Sequence, residues 1–339
     1  MNLDSGSDCA DHFEHLLAGK ERPHEDVLDE VYSKYAHSNP FLPVIHFVDH
    51  ATMGAEAMVG LKLGIRVKDW IAHQKVRPYD PPMAHVDVKT QWQDILGKPE
   101  YHGDWIRFFE NELSFKTYPA VLNEWVPKFA HDIGVYLFHG LIRTAHASRS
   151  LDYKDTSLRR GELARGLALW AIGIKNRPVV WSEVVDLANS GNEILTLARA
   201  GAAAFIHEPT IPKLHLVTSV MAYMMIVPHL DEEVHQVALH SFHQTHATAL
   251  ENLGRLSEAA ALAPIPSLST EEIDELALIH NPHPAKLTEA ALRAYSMTGD
   301  ELFLRAAGRA QHLSIFRGVI GGLKASIFAK GDHSHDMSL

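Results

Sequence analysis

Residues 129–151 read FAHDIGVYLFHGLIRTAHASRSL, with apolar positions recurring at helical intervals and no run of strict alternation. This is the strongest helix in the chain, and the segments on either side repeat its pattern. Upstream, Ala51 to Gly64 reads as a helix, with Gly64 as the glycine that closes it. Arg77 to Pro82 cannot be helical, because its prolines remove donors and restrict their predecessors. Trp105, Phe108 and Phe109 have helical spacing within Asp104 to Leu113, and Pro119 to Trp125 repeats the pattern before Pro127 allows a new start. Downstream, helices are expected over Glu162 to Ile174, Ser182 to Ala188, Glu193 to Phe205, Lys213 to Val227 and Glu232 to Leu253. A proline-bearing linker, Ala263 to Ser267, precedes Thr270, a good N-cap ahead of acidic Glu271 and Glu272. Lys286 to Met297 and Asp300 to Leu313 complete the set. About a dozen helices and no clear strand predict an all-α fold, packed as helical pairs or a bundle around a histidine-rich cavity. The expected organisation is a flexible segment over 1–25, one helical domain over 26–330 and a disordered tail over 331–339.

The 339 residues carry 31 Lys plus Arg against 42 Asp plus Glu, a net charge of −11. That balance argues against a nucleic-acid surface, which needs clustered positive charge, and against a polybasic membrane contact. The longest apolar runs, such as Val217 to Val227, read as too short to span a bilayer. The one cysteine, Cys9, permits no internal disulfide and no thiolate cluster. Together with an acidic N-terminus lacking an apolar leader, this predicts a cytoplasmic protein. Nothing in the sequence fixes an oligomeric state. Histidine is the anomaly: there are 24, close to the Lys plus Arg total, so the question is which are organised.

His12, His15, His24, His73, His85 and His102 lie in polar or proline-bearing segments and are expected to be solvated, and His333 and His335 fall in the tail. In the central helix, His139, Arg143 and His146 share one face within an otherwise apolar and small segment. Burying Arg143 there requires an anionic partner. The two histidines are separated by roughly 10 Å along the axis, at about 1.5 Å per residue. One metal, with bonds of about 2.0–2.1 Å, is not expected to take both; one ligates while the other contacts substrate or supports a ligand. Hydrogen-bonded core histidines are the alternative.

Three further segments offer single histidines. His50 follows Asp49 at a helix start, where Asp49 or Thr52 caps and the positive helix end favours a neutral imidazole. His215 opens a strongly apolar helix, an expensive place for an unpartnered ring, and His207 competes for its role. His283 and Lys286 are neighbours at another helix start, with Glu289 one turn onward. A lysine beside a metal has its pKa shifted by burial or forms a carbamate that ligates through oxygen. Against these stand an outward loop histidine, a core histidine bonded to a carbonyl, and a solvated lysine. His235, His240, His243 and His246 form the densest group, but Gln244 follows His243 where a zincin needs glutamate, so a structural role is expected. Glycine-rich nucleotide loops and the Gly-x-Ser-x-Gly elbow are missing from the sequence, and the pair His131-Asp132 is a poor match to metal phosphohydrolases.

The stretch FHGLIRTAHASRSL, 138–151, resembles the central signature of the questin-oxidase-like family of fungal and bacterial oxidases of aromatic polyketides. Residues 49–58 (DHATMGAEAM) are similar to an early Asn-His-x-Pro-Met segment of that family, with Asp49 in place of the Asn and Thr52 in place of the Pro. Residues 214–218 and 227–230, and 283–290, resemble two later segments, and the likeness spans about residues 30 to 315. The resemblance implies an all-helical oxygenase that oxidises or opens an aromatic, quinone-like ring with O2 at a non-haem iron (Fe2+) centre. It implies His50, His146 or His139, His215 and His283 as metal ligands, Lys286 as a fifth, and Arg143 with the remaining histidine, His139 or His146, as the groups that position an anionic substrate. The chain is short for the family, which implies a trimmed cavity. Two other functions remain open at this point: a monooxygenase of Baeyer–Villiger type using NADPH without flavin, and a non-catalytic helical ligand-binding protein.

Overall fold

A computed structural model describes residues 26–42, 48–175, 190–253, 270–275, 281–310 and 313. Among the described residues the fold is all-α, as the periodicity predicts, with two isolated bridges, Ser38 to Pro78 and Phe41 to Val48, and no strand. The helices are α1 (Val27–Tyr35), α2 (Ala51–Gly60), α3 (Gly64–Ala72), α4 (Val88–Ile95), α5 (His102–Phe115), α6 (Tyr118–Phe129) and α7 (Val135–Tyr153). They continue with α8 (Ser157–Gly173), α9 (Ser190–His207), α10 (Ile211–Ile226), α11 (Glu232–Asn252), α12 (Thr270–Glu275), α13 (Pro282–Thr298) and α14 (Leu302–Ala310). The expected helix at Ser182 to Ala188 and the linker at Ala263 to Ser267 lie outside the described residues, as do both chain ends.

The helix chosen as strongest, α7, is the centre of the molecule, packed on α2, α8 and α10. It nearly disappears into the core: Leu141, Ile142, Thr144, Ala145 and Ser148 are fully buried. Two glycines let α7 and α8 touch. A Cβ built on Gly140 would stand 2.7 Å from Trp170 Cγ, and one on Gly166 would stand 3.0 Å from the Thr144 amide nitrogen. A Gly140→Val substitution is therefore expected to lower stability by about 1–3 kcal/mol or more through overpacking, measured as a shift in the urea midpoint at unchanged slope.

Several boundaries differ from the sequence reading: α8 opens at Ser157 rather than Glu162 and α13 at Pro282 rather than Lys286, and three further differences shape the core. Pro127 does not restart a helix; α6 runs through it to Phe129. The lost Pro127 donor costs about 3 kcal/mol, and burial of Val121, Leu122, Trp125, Val126 and Phe129 along one face offsets it. The long helix then begins at Val135 rather than at Phe129, after a short 3-10 turn. Its first residues, Tyr136, Leu137 and Phe138, are left-handed (φ 51°, 56° and 64°), so regular α geometry starts at His139. Finally, the helix from Ala51 ends at Gly60, not Gly64. Lys62 takes the left-handed closing position (φ 58°), and the Leu63 amide bonds back to the Met58 carbonyl at 2.8 Å, leaving Gly64 to open α3.

The segment Ile211–His229 is, at 19 residues, long and apolar enough to cross a membrane, which corrects the shorter run read from the sequence. It is 83% buried inside the fold, as the core helix of a soluble protein is.

Candidate metal centre

Four of the expected histidines converge from four different elements: His50 ahead of α2, His139 on α7, His215 on α10 and His283 on α13. All are buried. His139 Nε2 lies 2.5 Å from His50 Nε2 and 3.0 Å from His215 Nε2. His283 stacks beside His50, with ring centroids 4.3 Å apart.

The outer nitrogens decide the protonation of the inner ones. His139 Nδ1 faces the Tyr136 carbonyl, and His215 Nδ1 faces the Ile211 carbonyl at 2.7 Å. A carbonyl only accepts, so each Nδ1 carries the proton and each Nε2 presents a bare lone pair. His283 follows the same rule: its Nδ1 lies 2.8 Å from Asn281 Oδ1, which also accepts the His283 amide. Its buried Nε2 has no partner. The left-handed turn at 136–138 serves this arrangement, since it swings the Tyr136 carbonyl under the His139 ring. Left-handed conformation costs roughly 1–2 kcal/mol per residue, and here that strain is held where a ligand must be oriented.

Two lone pairs facing each other at 3.0 Å repel unless a cation lies between them. A proton is a poor candidate. Burial, then the positive charge of Lys286, holds His50 well below the usual histidine range, and burial with His215 does the same to His139. His215 is pushed down to about 3 by burial and Lys286. A metal ion fits the His139–His215 pair: two nitrogen ligands at right angles, each about 2.05 Å from a metal, stand about 2.9 Å apart, while His50 at 2.5 Å from His139 would have to open slightly. His50, His139 and His215 form a buried group that can hold a metal ion.

Lys286 stands at the edge of the same centre, fully buried, its Nζ 3.9 Å from Met53 Sδ. Burial pushes it down to about 7.

His146 does not join the cluster. Its Nδ1 is 2.5 Å from Glu56 Oε2, in a second polar layer where Arg149 bonds Glu56 twice at 2.6 Å and also pairs with Glu289. Of the two α7 histidines between which the sequence left the ligand open, His139 sits among the candidate ligands and His146 is tied to a carboxylate one layer away. The anion that Arg143 requires is the chain's own Glu162, which accepts from Nε at 2.8 Å and from Nη2 at 3.0 Å. A substrate anion is therefore not needed to balance it.

Of the other histidines, His207 is exposed, and His246 donates to the Leu216 carbonyl at 2.7 Å, a structural role. His73 and His85 are exposed, but His102, expected in solvent, is only 2% exposed. It opens α5 beside Gly103, where a Cβ would come within 2.9 Å of the Pro81 carbonyl oxygen. The proline segment packs down on that helix start and covers the ring.

His102 makes a clean pH test, because burial, then Arg143 and Arg165, push it from 6.5 to about 3. Unfolded chains bind its proton below pH 6.5 and the folded protein does not, so its contribution to stability falls as pH drops through that window. Between pH 7.5 and 5.5 the wild type should lose about 1.4 kcal/mol relative to His102→Gln, read from paired urea titrations.

Glu56, Glu162 and Met53 were not singled out by sequence reasoning. Glu56 is the one acid in the apolar run ATMGAEAMVG, and a buried charge with no local partner signals a distant cation. Asn281 could have been found from Asn-Pro-His, a capping residue followed by proline at the first helical position. In comparisons with models of protein families and with curated proteins, no match to this chain was found.

Proposed function

We propose that this chain is an oxygenase that uses a non-haem iron ion, held by His50, His139, His215 and His283, to oxidise or open a small aromatic, quinone-like ring with O2. The observation that carries the reading is the pair of bare Nε2 lone pairs, His139 facing His215 at 3.0 Å, in a site where protonation is disfavoured. Imidazole donors without thiolate suit iron among the common metals, and the sequence resemblance points the same way. When bound, iron would supply one-electron chemistry with O2 and Lewis-acid activation of an oxygen substituent on the ring. The protein's part is positional. The Tyr136, Ile211 and Asn281 oxygens hold three imidazoles in the ligating tautomer, burial keeps them from bulk water, and Lys286 stands as the fifth group of the shell, as an amine or as its carbamate.

The electron balance separates two modes. If both oxygen atoms of O2 enter the ring, no outside reductant is required. Insertion of one atom requires two electrons and two protons, for which NADPH is the co-substrate. Elemental analysis of purified protein, followed by O2 uptake with a hydroxyquinone in the presence and absence of NADPH, tests the proposal. Near one iron per chain and ring-dependent O2 uptake are expected. Protein that binds no iron after anaerobic loading would overturn it.

A further inference from the structure

A cavity of about 230 Å³ opens between the segments around Ser38 and Tyr79 and the helices α5, α7 and α8. Behind it is a hollow of about 10 Å³, bordered by Asp49 and Thr52. The two share Ser38, Pro40 and Arg143, so they adjoin, and Asp49 and Thr52 lie immediately around His50 in the chain. The hollow has room for about one water.

The larger cavity has a definite chemical character. Pro40, Pro81, Met83 and Ile106 supply apolar wall, and Arg143 and Arg165 bring positive charge. Arg143 is neutralised by Glu162, but Arg165 is weakly compensated. Its Nε donates to the Ala36 carbonyl at 2.8 Å; Glu110, 44% exposed and itself on the cavity wall, stands 3.3 Å from Nη2 and Glu162 attracts the guanidinium too, but burial outweighs both. His102 also borders the space, and its buried Nε2 has no partner. The downward push on His102 by Arg143 and Arg165 shows a positive field there. Asp80 lies at the exposed rim. At about 230 Å³ the space is smaller than the roughly 300–1,000 Å³ of drug-sized sites.

We propose that this cavity binds a small aromatic anion, a carboxylate or phenolate of one or two rings, against Arg165 and His102, and that the bound anion lies near the histidine centre. The second half rests on the metal reading above; the first does not.

The probes are benzoate and its neutral isostere benzamide, titrated calorimetrically into the full-length protein after chelation of metals. Benzoate is expected to bind about tenfold more tightly than benzamide, since the carboxylate adds charge-assisted bonds. Arg165→Gln should remove that difference, and Ile106→Trp, which fills the cavity, should weaken both probes. Thermal midpoints of each variant confirm folding. Equal binding of the two probes, no benzoate binding, or an unchanged preference in a folded Arg165→Gln protein would overturn the site. That proximity is tested on cobalt(II)-loaded protein, where benzoate ring protons should relax faster than with zinc(II) loading. Bound benzoate with no such effect would overturn the proximity and leave the site standing. Protein that takes up neither metal would count against the metal reading alone, because the chelated titrations decide the cavity independently.

Discussion

Replacing His139 by alanine is expected to abolish tight metal binding, while His146→Ala leaves it measurable. The two residues lie on one helix face, two turns apart, yet one faces His50 and His215 and the other faces Glu56. Loss of a group that merely orients a ligand costs about 10–100-fold in metal affinity, so loss of the ligand itself should exceed about a hundredfold. His215→Ala should behave like His139→Ala. Iron content after anaerobic loading and desalting, with far-ultraviolet circular dichroism to confirm the helices, gives the result. Equal retention of iron by His139→Ala and wild type would remove His139 from the ligand set and restore His146 as the candidate on α7.

The contrast also shows what could be read from sequence. Helical periodicity is local, so the all-α fold and most of the helices were legible without any tertiary information. The grouping of His50, His215 and His283 came from the family resemblance; only His215, opening a strongly apolar helix, stood where an unpartnered ring is costly. The choice on α7 was not legible, because residues seven apart differ by only about 20° around a helix. Angle cannot separate His139 from His146; depth along the axis does. Helices α2 and α7 run side by side in the same direction, so His50 meets His139 and, six residues on, Glu56 meets His146. Helix α13 keeps the same step, with His283 against His50 and Glu289 against Arg149. Such register is a property of helix packing, and one chain's local pattern does not contain it. The left-handed turn at 136–138 was equally invisible. None of its residues is glycine, and its role appears only through the carbonyl it aims at His139.

That parallel register makes Glu56 the most consequential single residue beneath the site. Its side chain is fully buried, and it accepts from His146 Nδ1 and from Arg149 through both Nε and Nη2. Burial alone would raise its pKa, but Arg149 and His146 outweigh that and hold it below the ordinary carboxylate range. Glu56→Ala leaves Arg149 buried with Glu289 as its remaining carboxylate, and Glu289 is already shared with Arg293. Removing one partner from a buried ion network typically costs about 3–5 kcal/mol, because the desolvated charge that remains is not repaid. His146→Gln, which keeps the ion pairs and loses one hydrogen bond, should cost only about 1–2 kcal/mol. Urea midpoints of the metal-free proteins measure both, so ligand binding does not mask the difference. A cost below about 1 kcal/mol for Glu56→Ala would mean that water reaches this layer. The histidine centre would then lack a dry floor, and the argument that its histidines stay neutral by burial would lose its footing. A full loss would instead tie the metal centre and the fold to the same register of α2, α7 and α13.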